Sequence, residues 1–171
     1  MAIIVYQYPS VQANELLSFL FSHQPAARNL ALSPIFFSGF VLLVCGAAIR
    51  AACYNTLGKY FTFELALLKD HQLVTTGPYA IVRHPSYTGF IIAAFGVLTV
   101  SFLPGSYAYE SGMLNTWKVV PITIWVCFVF YFLGVLIRRI PQEDRALREE
   151  FGSQWDLWAQ KTPYKLVPYL Y

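Results

Sequence analysis

Residues that could do chemistry are concentrated between positions 70 and 89, in the stretch DHQLVTTGPYAIVRHPSYTG. Two histidines, two tyrosines and an arginine lie among two glycines and two prolines, and a strongly apolar run follows directly. Gly77 and Pro78 predict a turn, and Pro85 biases His84 toward extended backbone. Irregular polar backbone beside a membrane span persists only where protein or a water-filled cavity satisfies its hydrogen bonds. This stretch, called the signature segment below, is therefore a candidate site.

A second candidate group lies near the C-terminus, where Pro141 predicts the start of a new helix with acidic residues in its first turn. Its apolar residues recur at intervals of four, four and three: Leu147, Phe151, Trp155 and Trp158. Extending this stripe back by one step reaches Glu143, whose carboxylate would face the packed side and require a cationic or hydrogen-bonding partner. The charged residues off the stripe are predicted to form a solvated face: Asp144, Arg145, Arg148, Glu149 and Glu150.

The composition places these candidates in a membrane protein. Of the 171 residues, 57% are hydrophobic and only 12% are charged, about half the charged fraction of a soluble domain. No basic patch with interleaved aromatic residues is found, which argues against nucleic acid as a partner. The three cysteines suggest neither a disulfide framework nor a metal site. The length and composition predict one all-α, membrane-embedded domain covering residues 1–171.

Three spans are predicted, at residues 30–50, 87–103 and 119–137, the last two forming an antiparallel helical hairpin. Residues 1–29 suggest a short helix, for which a fourth membrane helix is the alternative, and Arg50 is predicted to end the first span. Ten of the twelve lysines and arginines flank the spans on one side. By the positive-inside rule this side, which holds residues 51–86 and the amphipathic helix and tail of residues 138–171, is cytoplasmic.

Two blocks of this sequence resemble the isoprenylcysteine carboxyl methyltransferase family. The first is HQLVTTGPY, followed by RHPSYTG, within the signature segment. The second begins at Arg139 and continues through Glu143 and Asp144 to the apolar stripe. The resemblance covers about residues 50–168, and it implies an endoplasmic reticulum enzyme whose active site faces the cytoplasm.

The resemblance implies a reaction and a set of site residues. A methyl group would pass from S-adenosylmethionine to the free carboxylate of a C-terminal prenylated cysteine, so the partners would be prenylated protein C-termini or small prenylcysteines, within membrane lipids. Arg139 would orient the substrate carboxylate, and Glu143 would hold the cofactor. The other implied cofactor contacts are His71, Gln72, Leu73, Val74, Tyr79, His84, Pro85, Ser86, Tyr87 and, more loosely, Glu64.

The residue types suit this chemistry on their own account, because a cationic methyl donor needs aromatic faces, a carboxylate and hydrogen-bond donors. Three alternatives remain open from the sequence. The acceptor could be another lipid, such as a phospholipid amine. The chain could be a reductase of the sterol type that uses NADPH, since such enzymes share a similar tyrosine and Arg-His-Pro pattern. It could also be a catalytically silent membrane scaffold.

Overall fold

The regular structure is entirely helical in the residues that the computed structural model describes, which are 33–58, 72–111 and 113–170. The helices are α1 (Pro34–Leu57), α2 (Pro85–Phe102), α3 (Tyr107–Glu110), α4 (Val119–Phe151) and α5 (Ser153–Lys161), with 3-10 turns at Gly77–Ala80 and Met113–Asn115. Three segments, carried by α1, α2 and α4, are long and apolar enough to cross a membrane. The predicted all-α, multi-pass membrane protein is confirmed. The predicted helix in residues 1–29 lies outside the described residues.

Helix α1 begins at Pro34, since proline is tolerated in the first turn of a helix, and it continues past Arg50. The hydroxyl of Ser33 accepts a hydrogen bond from the backbone N–H of Phe36 at 3.1 Å, which caps the first turn. Arg50, the predicted end of the span, lies inside this helix, where its guanidinium group finds hydrogen-bond partners within the protein. The helix ends at Leu57, and Gly58 follows with a φ of 50°.

Helix α4 runs without interruption through Pro141, so the prediction of a new helix starting there is wrong. A proline inside a helix loses the hydrogen bond to the carbonyl four residues earlier, which here belongs to Ile137. The neighbouring Ile140 is fully buried, and its packing holds the turn. The break falls instead at Gly152, where φ is 51°, and α5 begins at the next residue.

The chain divides into two compact units. The first consists of the described residues in Met1–Leu43 and Ala94–Val129. Within it α1 and α2 pack closely, since a Cβ added to Gly96 would lie 2.5 Å from the backbone nitrogen of Leu43. The rings of Phe102 and Trp125 are also in contact, with centroids 5.9 Å apart.

The second unit consists of the described residues in Val44–Ala93 and Phe130–Tyr171, and it holds every described candidate site residue. An apolar cluster lies at its centre: Cys53, Tyr79, Trp155 and Trp158 are buried, with Leu73, Val74, Leu147 and Phe151 packed around them. The predicted apolar stripe is therefore divided between α4 and α5 but converges on one cluster. The indole N–H of Trp158 donates to the carbonyl oxygen of Tyr79 at 3.0 Å, which ties α5 to the signature segment.

We expect Trp158→Phe to destabilise this unit by about 1–3 kcal/mol, because it removes the donor and leaves the buried carbonyl of Tyr79 unsatisfied. Thermal unfolding of the purified variant in detergent measures the effect. Trp117→Phe is the matched control, since the side chain of Trp117 is 78% exposed. Equal melting temperatures for the two variants would contradict the role of the hydrogen bond.

Candidate functional site

Five side chains of alternating charge form a continuous line, called the charge chain below: Arg83, Asp144, His84, Glu143 and Arg139. Nη1 of Arg83 lies 3.1 Å from Oδ2 of Asp144, whose Oδ1 lies 3.0 Å from Nε2 of His84. Nδ1 of His84 lies 3.4 Å from Oε2 of Glu143, whose Oε1 lies 2.6 Å from Nε of Arg139. Each carboxylate thus uses its two oxygens for two different cationic partners.

Local sequence explains why these groups meet. Arg83 and His84 immediately precede Pro85, which starts α2, so their side chains project from the end of the signature segment. Glu143 and Asp144 are adjacent on α4, and helical geometry therefore sends them in different directions. The two carboxylates therefore contact different nitrogens of the His84 ring, Glu143 at Nδ1 and Asp144 at Nε2.

The C-terminal tail fixes the backbone of the signature segment. The N–H of Arg83 donates to the carbonyl of Tyr164 at 2.9 Å, and the N–H of His84 donates to that of Lys165 at 2.8 Å. The hydroxyl of Thr88 donates to the carbonyl of Leu166 at 2.7 Å. Residues 164–166 therefore lie along the signature segment and satisfy donors that precede the first turn of α2.

His84 is the central member of the charge chain and is almost fully buried, with 6% of its side chain exposed. Burial disfavours the charged imidazolium, but the hydrogen bonds and negative charges of Asp144 and Glu143 outweigh it and raise the pKa of His84 above its usual value. The ring also stacks on that of Tyr87, with centroids 5.8 Å apart. The contacts thus favour a histidine that carries positive charge.

Glu143 is the most heavily engaged carboxylate of the site. Besides its contacts with His84 and Arg139, it accepts a hydrogen bond from the hydroxyl of Tyr87 at 2.5 Å. Arg139 uses its Nε for this pairing, and neither of its Nη nitrogens has a hydrogen bond to another described residue. About 29% of the Arg139 side chain is exposed. Among the described residues both Nη nitrogens of Arg139 thus lack a partner, and their N–H groups suit an incoming carboxylate.

Arg50 belongs to the same site and was missed by reasoning from the sequence. Its Nη1 donates to the carbonyl and hydroxyl oxygens of Ser86 at 3.3 and 3.2 Å, and its Nη2 donates to the hydroxyl of Tyr54. The guanidinium carbon also lies 5.4 Å from the ring centroid of Phe90. A single charge inside an otherwise uncharged apolar helix is the signal that could have identified it.

The structure divides the remaining predicted contacts into three groups. Ser86 and Tyr87 join the charged part of the site, whereas Leu73, Val74 and Tyr79 belong to the apolar cluster. Burial and the neighbouring Cys53 raise the pKa of Tyr79, so its phenol stays protonated. Pro85 is buried at the start of α2, and Gln72 is exposed. His71 and Glu64 lie outside the described residues.

Asp144 corrects the prediction of a solvated charged face. Only 12% of its side chain is exposed, and it holds both Arg83 and His84. Arg83 also donates to the carbonyl of Pro163 at 3.2 Å and lies over the ring of Trp155, 5.6 Å from the centroid. Arg83 thus connects the charge chain to the tail and to the apolar cluster. The exposed part of the predicted face is represented by Arg148, which pairs with Asp156 at 2.9 Å.

A buried donor near the charge chain has no partner within the part of the chain that the structure describes. The indole N–H of Trp155 is inaccessible to solvent and makes no hydrogen bond to a described residue. Burying an unsatisfied donor is costly, and such groups in native proteins commonly meet a ligand or a water molecule. Trp155, which packs in the apolar cluster and lies under the guanidinium group of Arg83, is therefore a further candidate for contact with a ligand.

Comparison with known proteins decides the family. The profile of the isoprenylcysteine carboxyl methyltransferase family matches residues 39–124. The chain belongs to this family. Residues Arg50, His84 and Tyr87 lie within the matched range, while Arg139 and Glu143 follow it. The resemblance carried by the signature segment is thereby confirmed.

Individual relatives support the same family. The chain is 30% identical to protein-S-isoprenylcysteine O-methyltransferase B of Arabidopsis thaliana over 127 residues, which cover 73% of this chain and 55% of the relative. It is 32% identical to the protein-S-isoprenylcysteine O-methyltransferase of Schizosaccharomyces pombe over 151 residues, or 86% of this chain and 51% of the relative. The chain thus spans about half the length of these curated relatives. No solved structure matches.

A member of another enzyme class is also similar. The chain is 33% identical to a Delta(14)-sterol reductase of Saccharomyces cerevisiae over 169 residues, which cover 91% of this chain and 34% of the reductase. This similarity keeps open the alternative of a sterol-type reductase. An experiment has to distinguish reductase activity from methyl transfer.

Proposed function

We propose that the protein transfers a methyl group from S-adenosylmethionine to the C-terminal carboxylate of a prenylated cysteine. The observation that carries the proposal is the pairing of Arg139 with Glu143. This pair sets a guanidinium group, whose two Nη nitrogens have no partner among the described residues, beside a carboxylate that is held by three donors. Membership of the isoprenylcysteine carboxyl methyltransferase family supports the same reaction.

The residues present suit S-adenosylmethionine as cofactor. When bound, this molecule supplies an electrophilic methyl group on a positively charged sulfur. Glu143 provides the carboxylate that a cationic ligand requires, and Tyr87 provides an aromatic face next to it. The indole N–H of Trp155, which has no acceptor among the described residues, would donate to an acceptor atom of the ligand. Leu73, Val74 and Tyr79 would contribute the apolar wall.

The acceptor needs orientation more than activation. A terminal carboxylate has a reference pKa of about 3.5, so it is already ionised near neutral pH and needs no general base. Arg139 can hold it through the planar fork of its Nη nitrogens, which a lysine could not match. Arg50, which lies near Tyr87 through its bonds to Ser86, adds a second positive charge. Catalysis would then consist of alignment and partial removal of water from the carboxylate.

The test is direct transfer of a labelled methyl group. Purified protein in lipid vesicles should label a farnesylated cysteine analogue when supplied with S-adenosylmethionine, but should not label the same analogue with its carboxylate amidated. Binding of NADPH without binding of S-adenosylmethionine would instead support the reductase, and labelling of a phospholipid amine would identify a different acceptor. Binding neither cofactor would indicate a scaffold.

We expect Arg139→Lys to raise the KM for the prenylcysteine by about tenfold or more, since it retains the charge but loses the bidentate fork. Initial rates at saturating cofactor measure the effect. Arg138→Lys is the matched control, because Arg138 is the exposed neighbour on the same helix. An unchanged KM in the Arg139 variant would place the acceptor carboxylate elsewhere.

We also propose that the protein lies in the endoplasmic reticulum membrane, with the charge chain on the cytoplasmic side. The excess of lysine and arginine on that side of the predicted spans supports this orientation. Lipid acyl chains would surround α1, α2 and α4, and prenylated substrates would reach the site from the same membrane.

A further inference from the structure

The ring of His84 lies between two carboxylates of the protein. Both of its ring nitrogens face carboxylate oxygens of α4, Nε2 toward Asp144 at 3.0 Å and Nδ1 toward Glu143 at 3.4 Å. Its backbone N–H is bonded to the carbonyl of Lys165, and its ring stacks on Tyr87. Every polar atom of the ring is thus committed to the protein.

The two carboxylates determine how many protons the ring must carry. An ionised carboxylate only accepts hydrogen bonds, and a neutral imidazole has one N–H and one lone pair. With a neutral ring, one carboxylate oxygen would face that lone pair at hydrogen-bond distance. Since the contact with Asp144 is the shorter, the remaining proton would stay on Nε2, and Glu143 would be the residue that loses its donor.

We propose that His84 is a positioning residue, which holds Glu143 in place for the methyl donor only while both of its ring nitrogens carry a proton. The proposal rests on the proposed function, because it takes Glu143 as the cofactor's carboxylate. In this proposal the His84 ring does not contact the cofactor directly. It acts on cofactor binding through the side chain of Glu143.

The surrounding charges favour the protonated ring. Asp144 and Glu143 face it directly, while Arg83 and Arg139 face the far oxygens of those two carboxylates and Tyr87 covers the ring. When His84 is an imidazolium, positive and negative charges alternate along the charge chain. When its ring is neutral, the two carboxylates on either side of it face an uncharged group. The same contacts raise the pKa of His84 above its usual value, because the two carboxylates outweigh the effect of burial.

The sign of the pH effect follows from linkage. A group whose pKa is higher in the folded protein than in the unfolded chain contributes stability fully below the unfolded value, about 6.5, and loses it as pH rises through the folded value. The affinity for S-adenosylmethionine should follow the same course. We expect the dissociation constant to be lowest in the protonated state and to increase about tenfold or more once the proton is lost.

The experiment compares the wild-type protein with two variants in lipid nanodiscs, using equilibrium binding of S-adenosylmethionine between pH 6 and 9. His84→Gln should bind about tenfold more weakly than wild type at low pH and lose the wild-type pH dependence. Asp144→Asn should shift the midpoint of the remaining dependence to lower pH, since it removes one of the charges that stabilise the imidazolium. The amino group of S-adenosylmethionine also titrates in this pH range, but it does so equally for all three proteins. The ratio of each variant's dissociation constant to that of wild type therefore reports only the titration of protein groups.

A spectroscopic measurement checks the charge without the cofactor. Protein labelled with ¹⁵N at the histidine rings contains three histidines, and comparison with His84→Gln assigns the signals of His84. Two protonated ring nitrogens are expected at pH 7. For the binding experiment the control is Arg148→Gln. It breaks an exposed ion pair with Asp156 and should keep the wild-type dependence of binding on pH.

Each outcome supports or overturns the proposal. A singly protonated His84 at pH 7, or equal affinity and pH dependence in wild type and His84→Gln, would overturn it while leaving the proposed function intact. Wild-type protein that does not bind S-adenosylmethionine at any pH would overturn the proposed function and this proposal together, whatever the ¹⁵N signals show.

Discussion

Glu143→Ala is expected to abolish detectable binding of S-adenosylmethionine and all methyl transfer. The substitution removes the acceptor shared by Tyr87, His84 and Arg139 and leaves two partly buried cations facing each other. Breaking a buried ion pair by deleting one partner costs about 3–5 kcal/mol, which corresponds to a loss of roughly 10²- to 4 × 10³-fold in an equilibrium constant. Equilibrium binding of labelled cofactor measures the loss directly.

Two further variants separate charge from folding in this prediction. Glu143→Gln keeps the shape of the side chain but not its charge, and it should lose most of the affinity while keeping a folded protein by size-exclusion chromatography. Glu149→Ala removes an exposed carboxylate from the same helix and should bind as wild type does. If Glu143→Gln retained wild-type affinity, the cofactor's positive charge would have to be met by another residue.

Gly46→Ala is expected to disrupt the packing of α1 against α2 in the unit that holds the site. A Cβ at this position would lie 2.5 Å from both the backbone nitrogen of Ala93 and the carbonyl oxygen of Gly89. These are backbone atoms of a neighbouring helix, so no side-chain rotation relieves the overlap and the helices must separate. Overpacking costs typically about 1–3 kcal/mol, and the rigid contact places this substitution at or above the upper end.

The measurement is thermal unfolding in detergent, with methyl transfer as the second readout. Gly134→Ala is the matched control, since a Cβ there meets nothing within 4 Å and alanine has the higher helix propensity, by about 1 kcal/mol. We therefore expect Gly46→Ala to lower the melting temperature and Gly134→Ala to raise it. A Gly46 variant as stable as the wild-type protein would show that α1 and α2 are not so tightly packed.

The sequence was sufficient for features that depend on period or on uninterrupted apolar length. Three apolar runs predict the three spanning helices, and the spacing that leads from Trp158 back to Glu143 predicts a carboxylate on the packed side. The structure places Glu143 there, with His84, Tyr87 and Arg139 as partners. The predicted span of residues 87–103 corresponds closely to α2, which begins two residues earlier, at Pro85.

The features that the sequence did not predict depend on contacts between distant residues. Asp144 lies off the apolar stripe, and only the approach of the signature segment makes its position an interior one. Pro141 is a helix breaker by local preference, yet the packing of α4 outweighs the lost hydrogen bond. Arg50 ends an apolar run in the sequence but finds Ser86, 36 residues away, in the folded chain.

The contacts of residues 164–166 with the signature segment also constrain the order of events during synthesis. Thr88 and its partner Leu166 are 78 positions apart, so the hydrogen bond between them can form only after α1, α2 and α4 have been translated. Until then the amide groups of Arg83 and His84 and their charged side chains have to stay hydrated at the membrane surface. Closing so long a loop is slow compared with forming a helix. The active conformation is therefore expected to appear as a distinct late step, after membrane insertion is complete.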